Sequence, residues 1–300
     1  MLNDPLDLVT LRVIVAVADA GSISAGSDQV QLALGAASAR ISALEAAMGI
    51  RIFERSSRGV KVTPTGQLLV QRGRELLADA DRLAVELHDF SLGLQGHVRV
   101  LANASAILEV LPDRLAAFLQ SHPLIRVDLE ERSSPEIPLA LLDGRADLGI
   151  VDIAHPLQGL QFHDLFADHL VLIVPRAHRL AALAQVALRD ALDEDFICLM
   201  DGNAISSRLM TAAALMGQTV KIRMQMRSFD AVCRMVASGL GVGVLPIEAV
   251  GPQLAGLPIV AVPIADAWTL RTHRLATREG VQPSAAAQSL MQALLQAPGG

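Results

Sequence analysis

Apolar side chains at Leu8, Leu11, Val15 and Ala18 recur at helical spacing and predict an amphipathic helix that stops at Gly21. Ser22 stands where it can cap a second, short helix running to about Val30. Ala37, Ile41, Leu44 and Met48 fall on one face of a third helix, from about Leu34 to Gly49. Three short helices joined by tight turns match a helix-turn-helix core. They equally match a small trihelical packing unit with an Ala-rich exposed face. The next stretch separates the two. Residues 51–55 read as a strand, Ser57, Arg58 and Gly59 as a turn, and 60–62 as a returning strand, which puts a two-stranded wing directly after the third helix.

Thr63 can cap a following helix and Pro64 suits its first turn. Leu69, Leu76, Leu83 and Phe90 then recur every seven residues, with Gly73, Ala80 and Leu87 as complementary positions. That is the spacing of a helix–helix seam, and it predicts a homodimer through this linker helix. The alternative is a long helix packed on its own chain. Beyond Gly96 the pattern changes to short apolar runs, with strands expected at 98–102, 125–130, 148–153, 170–174, 196–200, 222–226, 242–245 and 259–263. One helix presents Leu108, Leu111, Leu115 and Phe118 on a single face. Others cover 138–142, 206–216 and 229–237. The alternation predicts an α/β fold with parallel sheets covered on both faces, long enough for two lobes.

Net charge is −6 over 300 residues, so the whole chain is a poor generic polyanion binder. Between Arg40 and Lys61, however, five bases (Arg40, Arg51, Arg55, Arg58, Lys61) face two acids (Glu45, Glu54), a local excess of +3 on the wing. The third helix is rich in Ala, and its Ser hydroxyls and Ala methyls can touch base edges. The candidate contacts to double-stranded DNA are Ser22, Ser24, Gly35, Ser38, Ala39, Arg40, Ser42, Arg55, Arg58 and Lys61. Aromatics are 3% and Tyr is absent, which argues against stacking on single-stranded nucleic acid.

In open α/β sheets a ligand sits beyond the carboxyl ends of strands. The candidates for a small-molecule effector are therefore Asn103, Ala104, Ser105, Asp152, Met200, Asn203, Ser228, Phe229 and Pro246. Several precede helix starts, so a small organic anion is the expected effector. For any one Ser or Asn, simple capping is the competing role. Cys198 and Cys233 lie far apart without metal-ligand neighbours, and no catalytic motif or cofactor loop stands out: Gly239-Leu-Gly-Val-Gly243 follows a helix and leads into a strand, the wrong order. No enzyme, cofactor or metal is expected. Without a positively charged leader or a long apolar run, a soluble cytoplasmic protein with no membrane contact is expected.

Leu11 to Gly66 resembles the DNA-binding segment of LysR-type transcriptional regulators. The resemblance rests on Ala18-Asp-Ala-Gly-Ser22, Ser38, Ile41, Leu44-Glu45, Met48-Gly49, Ile52-Phe-Glu-Arg55, Arg58-Gly59 and Thr63-Pro-Thr-Gly66. The chain departs from the family at Ala33-Leu34-Gly35, where Ser-Gln-Pro is usual, and at Ala39, where an Arg is frequent. Leu111-Pro112, His122-Pro123, Leu142 to Gly149 and Gly239 to Pro246 are similar to the family's effector domain, which has the fold of periplasmic solute-binding proteins. The resemblance implies a DNA-binding regulator controlled by an effector, a dimerising linker and often a homotetramer. It also implies that the strand from Leu170 enters a second lobe, that the chain returns near Trp268, and that a helix over 285–295 packs on the first lobe. The expected architecture is a winged helix-turn-helix (1–62), a linker helix (63–93) and a two-lobed periplasmic-binding-protein-like domain (94–300), with lobe 1 at 94–164 and 267–300 and lobe 2 at 165–266. A solute-binding protein with a helical extension accounts for the last two hundred residues but not the first ninety. An α/β enzyme lacks a nucleophile–base pair.

Overall fold

The computed structural model describes residues 5–56, 59–91, 96–153, 157–200 and 202–296; the side chains at 55–56, 82, 85–86 and 88–91 lie outside the description. The chain divides into two compact units, residues 1–93 with 142–145, and 94–141 with 146–300.

In the first unit, α1 (Leu8–Ala20) starts where the Asp7 carboxylate accepts from Thr10 N at 2.6 Å, and ends at Gly21. Ser22 caps α2 (Ile23–Gln29), which crosses α1 so closely that a Cβ on Gly26 would lie 2.6 Å from Val17 backbone. In α3 (Leu34–Met48), Ala37, Ile41 and Leu44 are buried against Val13, Ile14 and Val17. Ile41 and Leu44 each contribute about 1.5–3 kcal/mol by this burial. Met48, expected on the same face, is exposed at the last turn, where Gly49 takes a positive φ of 63° and the chain leaves the helix. The wing is β1 (Phe53–Ser56) paired antiparallel with β2 (Gly59–Val62), later by two residues at its start than the pattern indicated. Glu45 holds it to α3, accepting from Ile52 N at 2.7 Å and Phe53 N at 3.2 Å. Thr63 Oγ1 accepts from Gly66 N at 3.0 Å at the start of α4 (Pro64–Ser91). Ion pairs from Arg74 to Asp19 and Arg12 to Asp81 hold α4 on α1. Leu76, Leu83 and Leu87 of α4 remain 52%, 55% and 64% exposed.

The second unit runs β3 (Gly96–Ala102), α5 (Ala104–Glu109), α6 (Leu111–Ser121), β4 (Ile125–Glu131), α7 (Glu136–Leu142), β5 (Leu148–Val151) and β6 (Leu160–Pro175). It continues through β7 (Asp195–Leu199), α8 (Ala204–Leu215), β8 (Lys221–Met226), α9 (Phe229–Ala237), β9 (Gly243–Pro246), α10 (Ile247–Gly256), β10 (Ile259–Pro263), β11 (Leu270–Arg278) and α11 (Ala285–Leu295). The parallel expectation holds for β4-β3-β5 and for β7-β8. It fails for β6, which is antiparallel to β9, β10 and β11. Strand β6 is sixteen residues long and serves both lobes: Leu160 to His169 pairs with β11, and Leu170 to Pro175 pairs with β9 and β10. Partners change between His169 and Leu170, matched on the return by Leu270, rather than at 164. Leu170 to Val174 are all buried, the continuous apolar run of a strand covered on both faces. Two crossing segments thus join two lobes with separate cores, one around Leu172, Phe196 and Val232, the other around Val100, Leu111 and Leu290.

The single helix expected through Leu108 and Phe118 is two helices, broken at Val110; Pro112, which has no N–H to donate, sits in the first turn of α6, and Leu108 is exposed. Among the described residues, no helix is long and apolar enough to cross a membrane.

Candidate functional site

The first candidate face lies on α3. Gly35, Ala39 and Ser42 are exposed and Ser38 is half-buried. Ser24 is exposed, whereas Ser22 is half-buried and accepts from Ala25 N as the cap of α2. Lys61 is exposed on β2. Arg58 lies outside the described residues, as does the side chain of Arg55. Arg40 is turned back from this face. Its Nη1 donates to the Asp7 carboxylate at 3.0 and 3.2 Å and to Thr10 Oγ1 at 3.1 Å. The Thr10 amide, with Arg40 beside it, holds the Asp7 carboxyl below its usual range against a small burial effect. Arg40 thus ties the start of α1 to α3. The face left exposed is almost wholly Gly and Ala with one hydroxyl.

The second candidate is a cavity of about 880 Å³ between the two lobes of the second unit. Of the residues expected around an effector, Asn103, Ala104, Ser105, Met200, Asn203 and Phe229 line it. Asn203 and Ser228 also cap α8 and α9, accepting from Ile205 N and Ala231 N. Three expected residues stand apart. Ser228 is spent on its cap. Pro246 closes β9 and pairs with Leu170. Asp152 is fully buried beneath the cavity: Arg208 of α8 donates to it through Nε at 3.1 Å and Nη2 at 2.5 Å. That pair links the end of β5 in lobe 1 to lobe 2.

The floor is a connected set of buried polar groups at the lobe crossing. Arg271, 2% exposed, donates to Asp168 through Nε at 2.7 Å and again through Nη2, and to Ser105 Oγ at 3.0 Å. His273 Nε2 lies 3.1 Å from the same carboxylate, and its ring stacks on Phe166 at 4.2 Å. Asn103 caps α5, accepting from Ala106 N, while its amide donates to Ser134 Oγ. Ser134 in turn accepts from Asp152 N. Burial alone pushes the Asp168 carboxyl up, but the His273 hydrogen bond and the Arg271 charge outweigh it and leave the group below its usual range. In neighbouring Glu109 the balance is reversed: burial first, then the Asp168 charge, outweigh the Arg271 charge and push the carboxyl up to about 8. Cys233, raised to about 11 by burial, is protonated at neutral pH and inert as a nucleophile.

Sequence reasoning missed Arg271, Arg132, Glu131, Glu136 and Ser134, all of which line the cavity, as does Arg227 at the strand end before Ser228. Glu131 ends β4 and Arg132 and Ser134 follow it, so the strand-end rule could have found them. Arg271 lies inside a strand whose Arg and His look like surface residues. Among the described residues, no cluster of His, Cys, Asp and Glu is arranged to hold a metal.

A family model described as "LysR substrate binding domain" matches residues 91–299, and one described as "Bacterial regulatory helix-turn-helix protein, lysR family" matches residues 8–67. The chain is 28% identical over 257 residues to a probable RuBisCO transcriptional regulator of Cyanophora paradoxa, covering 83% of this chain and 79% of that one. Among solved structures, full-length BenM is 25% identical, with a TM-score of 0.59 over 96% of this chain and 95% of its own. Full-length CbnR complexed with its target DNA is 20% identical, with a TM-score of 0.62 over 96% of this chain and 99% of its own.

Proposed function

Because the chain belongs to the LysR family of DNA-binding transcriptional regulators with an effector-binding domain, we propose that α3 reads the operator and that the cavity over Arg271 takes the effector. In this reading Gly35, Ala39 and Ser42 face base edges in the major groove. Ser38 supports them, Arg40 fixes the pose of α3, and Ser22, Ser24, Arg55, Arg58 and Lys61 meet the phosphates. Asn103, Ala104, Ser105, Met200, Asn203 and Phe229 contact the effector. Asp152, Ser228 and Pro246 act from beneath or beside it. The domains are 1–62, 63–93 and 94–300, with the lobes exchanging at the crossing of β6 and β11. The exposed leucines of α4 form a homodimer seam, and two dimers make a tetramer on DNA. The protein works in the cytoplasm, beside its DNA, without catalysis of its own.

The observation that carries the coupling is the floor itself: Asp168 and Arg271 sit on the two strands that cross between lobes. An effector that draws the lobes together shifts the population of closed chains, and the closed form spaces the reading heads differently. Ala39→Glu tests the DNA assignment. It puts a carboxylate on an exposed helix position against the nucleic acid. Binding to a duplex selected from a random pool should fall at least about a hundredfold with unchanged melting temperature. Retained binding would remove α3 from the reading face.

A further inference from the structure

Beside the cavity over Arg271 lies a second one, of about 440 Å³, and the two share Pro135 of lobe 1 and Ala204 at the start of α8. Residues three and four apart lie on one helix face, and Ala204, Arg208, Ala212 and Leu215 follow that spacing. The start of α8 borders the first cavity, and the rest of this face borders the second. The two differ in chemistry. In the first, Arg227 is exposed on the lobe-2 wall and pairs with no acid among the described residues. The starts of α8 and α9 stand beside it through Asn203, Ala204 and Phe229, adding partial positive charge. The acids Glu131 and Glu136 stand on lobe 1, so an anionic group belongs against lobe 2. In the second cavity the charges are spent on each other: Arg208 donates to Asp152, and Thr211 Oγ1 donates to Ser207 O at 2.8 Å. Apart from the Ser207 hydroxyl, what remains is Ala212, Leu215, Met216 and Trp268, with Leu215 85% exposed. Covering such apolar surface is favourable. An apolar cavity of about 150 Å³ takes a benzene ring, so this one has room for a larger ring system or a chain of several carbons.

We infer that the effector is an amphipathic carboxylic acid lying along α8: its carboxylate is held by Arg227 and the starts of α8 and α9, and its apolar body passes Ala204 and Pro135 to cover Ala212, Leu215, Met216 and Trp268. This rests on the reading of the cavity over Arg271 as the effector site, and it adds an apolar body to the anionic group expected from the helix starts. From Ala204 to Leu215 the helix rises about 16 Å, which sets the length the ligand can use. A short acid occupies only the first cavity, and a neutral apolar compound only the second. A ligand with both parts fills both. Its body then lies between α8 of lobe 2 and Pro135 of lobe 1, so burial of the body draws the lobes together.

The test uses the full chain at pH 7, with straight-chain and phenyl-terminated carboxylates from acetate to decanoate as probes, each compared with the alcohol and the amine of the same length. Binding is read by calorimetry and by the emission of Trp268, the only tryptophan. Affinity should rise with length, about fourfold for each methylene that becomes buried. The long acids should shift the Trp268 emission, and acetate should not. The alcohol and the amine should bind at least about tenfold more weakly than the acid. Leu215→Asp, at an exposed position, should leave the melting temperature and the short acids unchanged and weaken the long acids at least about tenfold. Arg227→Gln should weaken acids of every length. Affinity that does not grow with length, or an alcohol or amine that binds as tightly as its acid, overturns the inference. Weakening of those ligands by Arg227→Gln or by the cavity-filling Met200→Trp then upholds the cavity as the effector site. Absence of binding by every acid also overturns the inference, and an alcohol or amine lost in Met200→Trp then keeps the cavity. If Leu215→Asp dissociates the oligomer and leaves the long acids unaltered, a second copy of the chain covers the apolar end and the inference fails. Binding that none of these three variants alters rejects the effector site itself.

Discussion

The exposed face of α3 and the floor of the cavity are built from opposite materials. On α3 the side chains are Gly, Ala and Ser, and its one arginine is turned away to Asp7. On the floor, Arg271, His273, Asp168 and Asp152 are all nearly or fully buried and bonded to one another. The first face is smooth and lets a partner approach closely; its own stability hardly depends on what it exposes. The second is rigid because every buried charge needs its neighbour. A surface that must fit a groove can be nearly featureless, whereas a joint that two lobes share has to be held.

Substitutions can break this contrast. The largest effect is expected at Asp168→Ala, which leaves Arg271 buried without its carboxylate. Urea unfolding should show a loss of about 3–5 kcal/mol, and a loss below 1 kcal/mol would mean that the floor is not a structural joint. Next is the α4 seam. Leu83→Asp with Leu87→Asp removes two apolar contacts from a dimer and should raise the dissociation constant by at least about tenfold per leucine, as read by sedimentation equilibrium. An unchanged constant would put the dimer contact elsewhere.

A smaller effect, with a defined pH dependence, belongs to Glu109. Its carboxyl is raised from 4.5 in the unfolded chain to about 8 in the fold. The folded chain therefore holds a proton that the unfolded chain releases. The associated stability is present below pH 4.5 and is lost as pH rises towards 8. Glu109→Gln should remove that decline. After discounting for solvent reaching this carboxyl, the variant gains on the order of 1–2 kcal/mol at pH 8 and nothing at pH 4. Parallel melting curves for the two proteins across this range would contradict the assignment. The smallest effect is expected at Arg40→Ala. The exposed pair with Asp7 is worth about 0.5 kcal/mol, and duplexes selected by the variant should match those of the parent. A changed selection would return Arg40 to the reading face.

The same contrast explains how much could be seen in advance. Helices α1 to α3 and the wing were legible because their core is a simple apolar periodicity, as at Ala37, Ile41 and Leu44. The helix over 285–295 came from the family resemblance rather than from the periodicity of its own residues. The first half of β6 was not, because His163, Asp164, Asp168 and His169 interrupt any alternation. Strand β11 hid likewise behind Arg271, His273 and Arg274. These residues are polar because they bond to each other across strands distant in sequence, and no local pattern records a partner a hundred positions away. Strand ends located a third of the cavity wall, at Asn103 to Ser105 and Met200 to Asn203. They misplaced Asp152, whose burial under Arg208 depends on the other lobe. The bond from Arg40 to Asp7 was hidden for a related reason: that partner precedes the first helix.

Sequence-specific binding is the claim on which the rest depends, and fluorescence anisotropy of the full chain at about 0.15 M salt measures it directly. The comparison is between the best duplex from a random pool and its scrambled counterpart. Binding about a thousandfold tighter to the selected duplex is the predicted result. Equal, weak binding to both would contradict it and leave α3 a packing helix with an alanine face.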